Sequence, residues 1–122
     1  MKLTGQAKED FEKWFNRPES EEYDLINNLT NYDQSIHEPI DHFRSLTTSM
    51  RYGVYVDWFD SVGIEIIVDT SYIAKDYNRW FFCIHYDGGL NDYDSGSASN
   101  NRTEARTSAI EKANEIYNNI HK

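Results

Sequence analysis

A single cysteine, two prolines and no apolar run long enough to cross a bilayer set the first limits on this chain. One thiol, Cys83, excludes an internal disulfide and leaves no zinc-finger spacing. Flanked by Trp80, Phe81, Phe82 and Ile84, it reads as a small buried hydrophobe. No stretch reaches the roughly 18–20 apolar residues of a membrane span. The opening residues Met1 to Gln6 lack the apolar core of a signal peptide, so the expected location is the cytoplasm. On that expectation the sequons Asn28-Leu29-Thr30 and Asn101-Arg102-Thr103 carry no weight. Positive charge is scarce too: 12 Lys and Arg face 21 Asp and Glu, a formal net charge of −9. A field of that sign opposes nucleic-acid backbones and anionic lipid surfaces as direct ligands. It favours basic partners, or simply solubility. Motifs for catalysis are missing as well, with no glycine-rich phosphate loop, nucleophile elbow or paired Cys/His motif.

What the chain does have is aromatic mass: nine Tyr, six Phe and three Trp in 122 residues. Disordered segments are poor in such residues, so most of the chain is expected to fold. The length suits one domain, residues 1–122, large enough for a core without staples.

Helix signals open the sequence. Thr4 stands as a cap, and Ala7, Phe11, Trp14 and Phe15 share one face of a 3.6-residue period. Pro18 closes that helix. Residues 19–35 carry no clean period and fit a helical turn or a loop equally. A short helix is expected around Pro39, with Ile36, Ile40, Phe43 and Leu46 on one side. A longer helix follows from about Thr48 to Val62, its stripe formed by Met50, Val54, Tyr55, Trp58, Phe59 and Val62. A strand competes there, since Tyr52, Val54, Val56 and Trp58 alternate; the length and the closing Gly63 favour helix.

Strands come next. Residues 64–69 are rich in Ile and Val, and Arg79 to Tyr86 carries aromatics on both faces, which predicts a central or doubly covered strand. Residues 87–100 read as an exposed polar loop with room for a short edge strand. Asn101 then caps a final helix, with Glu104 in a capping-box position. Its expected buried stripe is Ala105, Ala109, Ala113, Ile116, Tyr117 and Ile120, the alanines allowing close approach to a sheet. The expected fold is α+β: N-terminal helices, a small two- to three-stranded antiparallel sheet, and a C-terminal helix packed on the sheet.

Candidate sites are weighed against plainer readings. His37 with Asp41, and Glu38 with His42, have helical spacing for two ligands, but zinc needs three or four. Solvated helix side chains are the plainer account. Residues 92–96 approach a calcium loop but place Gly96 at the fifth position and Thr103 at the twelfth, where oxygen ligands belong. A turn rich in Gly and Asp is favoured there, leaving Asp87, Asp92 and Asp94 as weak calcium candidates. No cofactor is expected. Among acid pairs, Asp57 and Asp60 come first for a carboxylate enzyme, against a solvated helix face. More coherent is a partner surface built from the acidic cluster Glu19, Glu21, Glu22 and Asp24 with Tyr23, together with Asp92, Tyr93 and Asp94. Tyrosine is a frequent interface anchor. A charged surface kept for solubility is the plainer alternative.

Residues 49–64 (Ser49-Met50-Arg51-Tyr52-Gly53-Val54 onward), residues 103–118 (Thr103-Glu104-Ala105-Arg106 onward) and the opening Leu3-Thr4-Gly5-Gln6-Ala7-Lys8 resemble a group of small proteins. These are encoded in phages and prophages of Bacteroidetes-type bacteria. The group carries no assigned activity, so the resemblance implies an origin and a bacterial host cell rather than a chemistry. A phage origin in turn implies, by analogy, an inhibitor of host defence, as anti-CRISPR proteins that imitate DNA are. The expectation is therefore a non-catalytic module that binds another protein with a basic surface, a nucleic-acid-handling or defence protein foremost. A structural or oligomeric accessory of phage assembly stands second, and an enzyme with a carboxylate site third.

Overall fold

The structure is a computed structural model and describes residues 1–17, 39–74, 77–95 and 99–122. The order is α1 (Gly5–Phe15), α2 (Pro39–Arg44), α3 (Thr48–Ser61), β1 (Glu65–Ala74), β2 (Tyr77–Tyr86), β3 (Asn91–Asp94) and α4 (Arg102–Ile120). It is the α+β arrangement expected. The acidic cluster 19–24, the sites His37 and Glu38, and the 19–35 segment lie outside the described residues. No described helix is long and apolar enough to cross a membrane.

Helix α3 shows how local chemistry sets boundaries. The Thr47 hydroxyl accepts from the Met50 N–H at 3.3 Å and caps the start. At the far end Gly63 has φ +86, Gly63 N–H donates to Asp60 O at 3.2 Å, and Ile64 N–H donates to Phe59 O at 2.8 Å. That pair of bonds is a Schellman motif, which needs a left-handed residue at the position glycine occupies. Phe59 and Ile64, which bracket the turn, are both buried. The predicted apolar stripe is narrower than expected: Tyr55, Trp58 and Phe59 are buried, whereas Met50 and Val62 at its ends are exposed.

The three strands form one antiparallel sheet in the order β1-β2-β3. Asp87 and Gly88 both have positive φ, and Gly89 N–H donates to Tyr86 O at 3.2 Å. Gly89 is left-handed as well, and Leu90 N–H donates to Asp87 O at 3.1 Å, so a four-residue loop joins Tyr86 to its partner Asn91. Two described residues of the polar segment after β3 stay bonded to β2. Ser95 exchanges bonds with Phe82, and Ser99 with Trp80.

Helix α4 starts as predicted, with the Asn101 side chain accepting from Glu104 N–H at 2.9 Å. The Glu104 carboxylate reaches back to Asn100 N–H at 3.4 Å, one residue before the cap itself. Ala105, Ala109 and Ala113 have no exposed surface, and the helix packs on β1 and β2. Ile120 differs from expectation: it lies in the last turn and is exposed, while Ile110 is fully buried.

The core is an aromatic cluster shared by all four helices. Phe11 stands 5.0 Å from Phe43, 5.0 Å from Tyr55 and 5.7 Å from Trp58, centroid to centroid. Trp58 meets Tyr117 of α4 at 5.0 Å. Most of these pairs are tilted or edge-on, the arrangement ring quadrupoles favour. His42 is fully buried within this region rather than solvated.

Helix α1 is held from outside itself. Thr4 makes no side-chain cap. Instead the Asn118 carboxamide accepts from Ala7 N–H at 2.8 Å and donates to Thr4 O at 3.0 Å. Asn114 exchanges bonds of 2.9 Å with the Thr4 N–H and hydroxyl. Gly5, at φ +60, lets the chain come this close: a Cβ there would sit 3.1 Å from the Asn118 side chain. One turn on, Tyr117 OH donates to Asp10 at 2.5 Å, and Gln6 donates to the other Asp10 oxygen at 2.8 Å. These two bonds hold the Asp10 carboxyl below its usual range. Burial, then the bond to Asp10, pushes the Tyr117 phenol up to about 12.

Replacing Asn118 with Ala removes an acceptor and a donor that serve another helix's orphan groups. Asn118→Ala should lower unfolding stability by about 1–2 kcal/mol, read from urea denaturation midpoints. A midpoint equal to wild type would show that α1 does not depend on this cap.

Candidate functional site

Alternation along β2 divides the sheet. Phe82 and Ile84 are buried toward the helices, whereas Phe81, Cys83 and His85 are half-buried on the opposite face. The prediction that β2 is central holds. Its second face stays partly exposed among the described residues, so Cys83 is half-buried rather than the fully buried hydrophobe expected. Ile67 on β1 is exposed there as well.

The register turns this face into rungs. Glu65, His85 and Asp92 lie side by side across the three strands. Ile67, Cys83 and Asp94 form the next rung, and Asp69 lies beside Phe81 beyond it. Apolar and sulfur-bearing groups thus occupy the middle, with Glu65 and Asp69 on one outer strand and Asp92 and Asp94 on the other. Asp92 and Asp94, singled out from the sequence, share this face. Tyr93 falls on the other side by the same alternation, stacked on Phe82 at 5.7 Å with the Lys112 ammonium 4.5 Å from its ring.

Side chains on the face interact. His85 Nδ1 lies 2.5 Å from Asp92 Oδ1, and Cys83 Sγ lies 3.8 Å from His85 Nε2. The bond to Asp92 raises the His85 pKa above the ordinary histidine value, helped by the charges of Asp92 and Glu65. The imidazolium then donates to the carboxylate. Thiol, imidazole and carboxylate follow one another in the order of a nucleophilic triad. The electrostatics run the other way: burial, then Asp94, Asp92, Glu65 and Asp69, push the Cys83 thiol up. Because the thiolate is the nucleophile, surrounding carboxylates hold this sulfur in its unreactive form.

At one end of the face a shallow depression of about 370 Å³ is lined by Asp60, Gly63, Ile64, Glu65, His85 and Gly88–Gly89. Asp60, one of the carboxylate pair named from the sequence, therefore meets Glu65 and His85, while Asp57 sits outside it. Burial, then the charges of Asp57 and Glu65, raises the Asp60 pKa. Among the described residues no group of three His, Cys, Asp or Glu side chains is arranged to hold a metal ion. Asp87 instead accepts from the Asn91 side chain at 3.0 Å within the hairpin turn.

Glu65, Ile67, Asp69 and Phe81 are site residues that composition and motif reasoning passed over. Their signal was the period-two alternation of two strands, but it identifies a common face only once the register is known. No known protein family, curated protein or solved structure matches the chain.

The His85–Asp92 pair has a testable pH signature. A histidine raised in the folded state contributes stability that is fully present below the unfolded value and is lost as pH rises through the folded one. NMR titration should place the His85 midpoint above the ordinary histidine value, and Asp92→Asn should move it down. Equal midpoints in the two proteins would remove the pair from the account of this face.

Proposed function

We propose that this protein is a non-catalytic binding module whose open sheet face docks on a basic surface of another protein. The observation that carries the proposal is the set of four carboxylates, Glu65 and Asp69 on β1 and Asp92 and Asp94 on β3, that flanks Ile67, Cys83 and His85, with Phe81 at the edge beside Asp69. An apolar centre with a polar rim is the usual anatomy of an interface. Asp92 and Asp94, two apart on β3, are spaced by about 7 Å, Glu65 and Asp69, four apart on β1, by about 13 Å, and the two rows lie two strand spacings apart, about 9.6 Å. Two rows of negative charge on a rigid support suit a groove built to hold a nucleic-acid backbone. A nucleic-acid-handling protein, including a host defence protein, is therefore the favoured class of partner. The net charge of −9 and the excess of carboxylates on this face over its one arginine, Arg79, oppose pairing with a second copy of the chain. The alignment of Cys83, His85 and Asp92 does not favour catalysis, because the carboxylates oppose a thiolate.

Capture from bacterial lysates should be run in parallel with three proteins: wild type, Asp69→Asn/Asp94→Asn, and a control Glu111→Gln/Glu115→Gln on α4. A partner expected by this reading is retained by wild type and control, reduced at least tenfold by the face variant, and released as salt rises. A partner held equally by all three proteins would place the docking surface elsewhere.

A further inference from the structure

The helical side of the molecule holds a second feature of opposite charge. A cavity of about 370 Å³ opens between the N-terminal segment, α1, α2 and α3. Its apolar lining includes Leu3, Phe11, Ile40, Phe43 and Tyr55, all buried members of the core. Its cationic lining among the described residues is Lys2, Lys8, Arg44 and Arg51. These are four of the 12 Lys and Arg in the chain, gathered at one cavity of a protein with net charge −9. Glu12 is the one acid among the described lining residues, and it is engaged with Arg44 at 3.2 Å.

Arg44 is paired with Asp41 as well, also at 3.2 Å, whereas the other three cations lack a carboxylate partner among the described residues. Lys2 and Lys8 make no ion pair among the described residues. Arg51 Nε is buried without an acceptor among them, and Arg51 Nη2 makes only a long bond of 3.4 Å to the Thr48 hydroxyl. A buried donor left unpaired is costly, so the site gains when an acceptor arrives. The Tyr55 phenol registers the same charges. Burial raises its pKa while Arg51 and Arg44 pull it back.

We infer that this cavity binds a small amphipathic anion, a carboxylate or phosphate carried on a short acyl chain or a single aromatic ring. The apolar body rests on Phe11, Phe43 and Tyr55, and the anionic head meets Arg51, Arg44 and Lys8. The volume lies within the roughly 300–1,000 Å³ of ordinary ligand pockets. Such pockets are largely preformed, as this one is, since its floor is the packed aromatic cluster itself. A neutral ligand would leave the Arg51 donor and the lysine charges unanswered. A cation would be repelled by them. This inference is independent of the sheet face, which uses none of these residues.

Calorimetric titration with decanoate, decanol and phenyl phosphate tests it, with amide spectra locating the site. At least one anion should bind, with decanol at least tenfold weaker than decanoate. Shifts should fall on residues 40–55 and spare residues 83–94. Arg51→Gln and Lys8→Gln should each weaken the anion severalfold, and Lys112→Gln should leave it unchanged. Lys8 is exposed, so its variant reads charge without disturbing the core. Binding of neither anion, equal binding of decanol and decanoate, or unchanged affinity in Lys8→Gln would each overturn the inference.

Discussion

An 11-residue helix does not hold itself together in water, where helices shorter than about 12–15 residues are marginal. Helix α1 persists because α4 supplies what its own sequence does not. Asn114 and Asn118 satisfy the first polar groups of α1, and the Tyr117–Asp10 bond fixes its rotation one turn later. With the helix so oriented, Phe11 and Phe15 enter the aromatic cluster instead of facing solvent. That cluster seats α2 and α3, and α4 itself lies on the sheet through its alanines. The polar seam between α1 and α4 is thus the joint through which helices and sheet become one core.

Local signals are legible in the sequence where the chemistry is local. Asn101 caps α4, Gly63 ends α3, and the alanine stripe marks the face that meets the sheet. What escaped depends on residues far apart in the chain. Thr4 looks like a cap by position, yet its helix is capped by Asn118, a hundred residues away, and no window along the chain contains both. His42 resembles a solvated helix residue because it stands outside the apolar stripe of Ile36, Ile40, Phe43 and Leu46. The acids at Asp92 and Asp94 were legible, but their partners Glu65 and Asp69 join them only through strand register. The cavity cations were hidden for another reason: an overall acidic composition conceals a local excess of the other sign.

Charge in this protein is sorted by architecture rather than spread. The sheet gives carboxylates fixed spacing on a face that α4 does not cover. The helices gather cations around an aromatic floor. Net charge therefore describes neither surface. A partner approaching the sheet meets Glu65, Asp69, Asp92 and Asp94 with His85 among them and Arg79 at the edge, and at physiological ionic strength the cavity cations farther than about 8 Å are largely screened from it. The two features can in this way present opposite electrostatic characters while sharing one core.

The seam between residues 4–10 and 114–118 also has a dimension in time. A ribosome adds roughly 5–20 residues each second, beginning at the N-terminus. The Asn118 that closes α1 is made more than a hundred residues after the N–H it receives, a delay of roughly 5–20 seconds at that pace. Throughout that interval Phe11, Trp14 and Phe15 have been synthesised while their clamp has not. The native cap of the N-terminal helix therefore cannot form before the last helix has been translated.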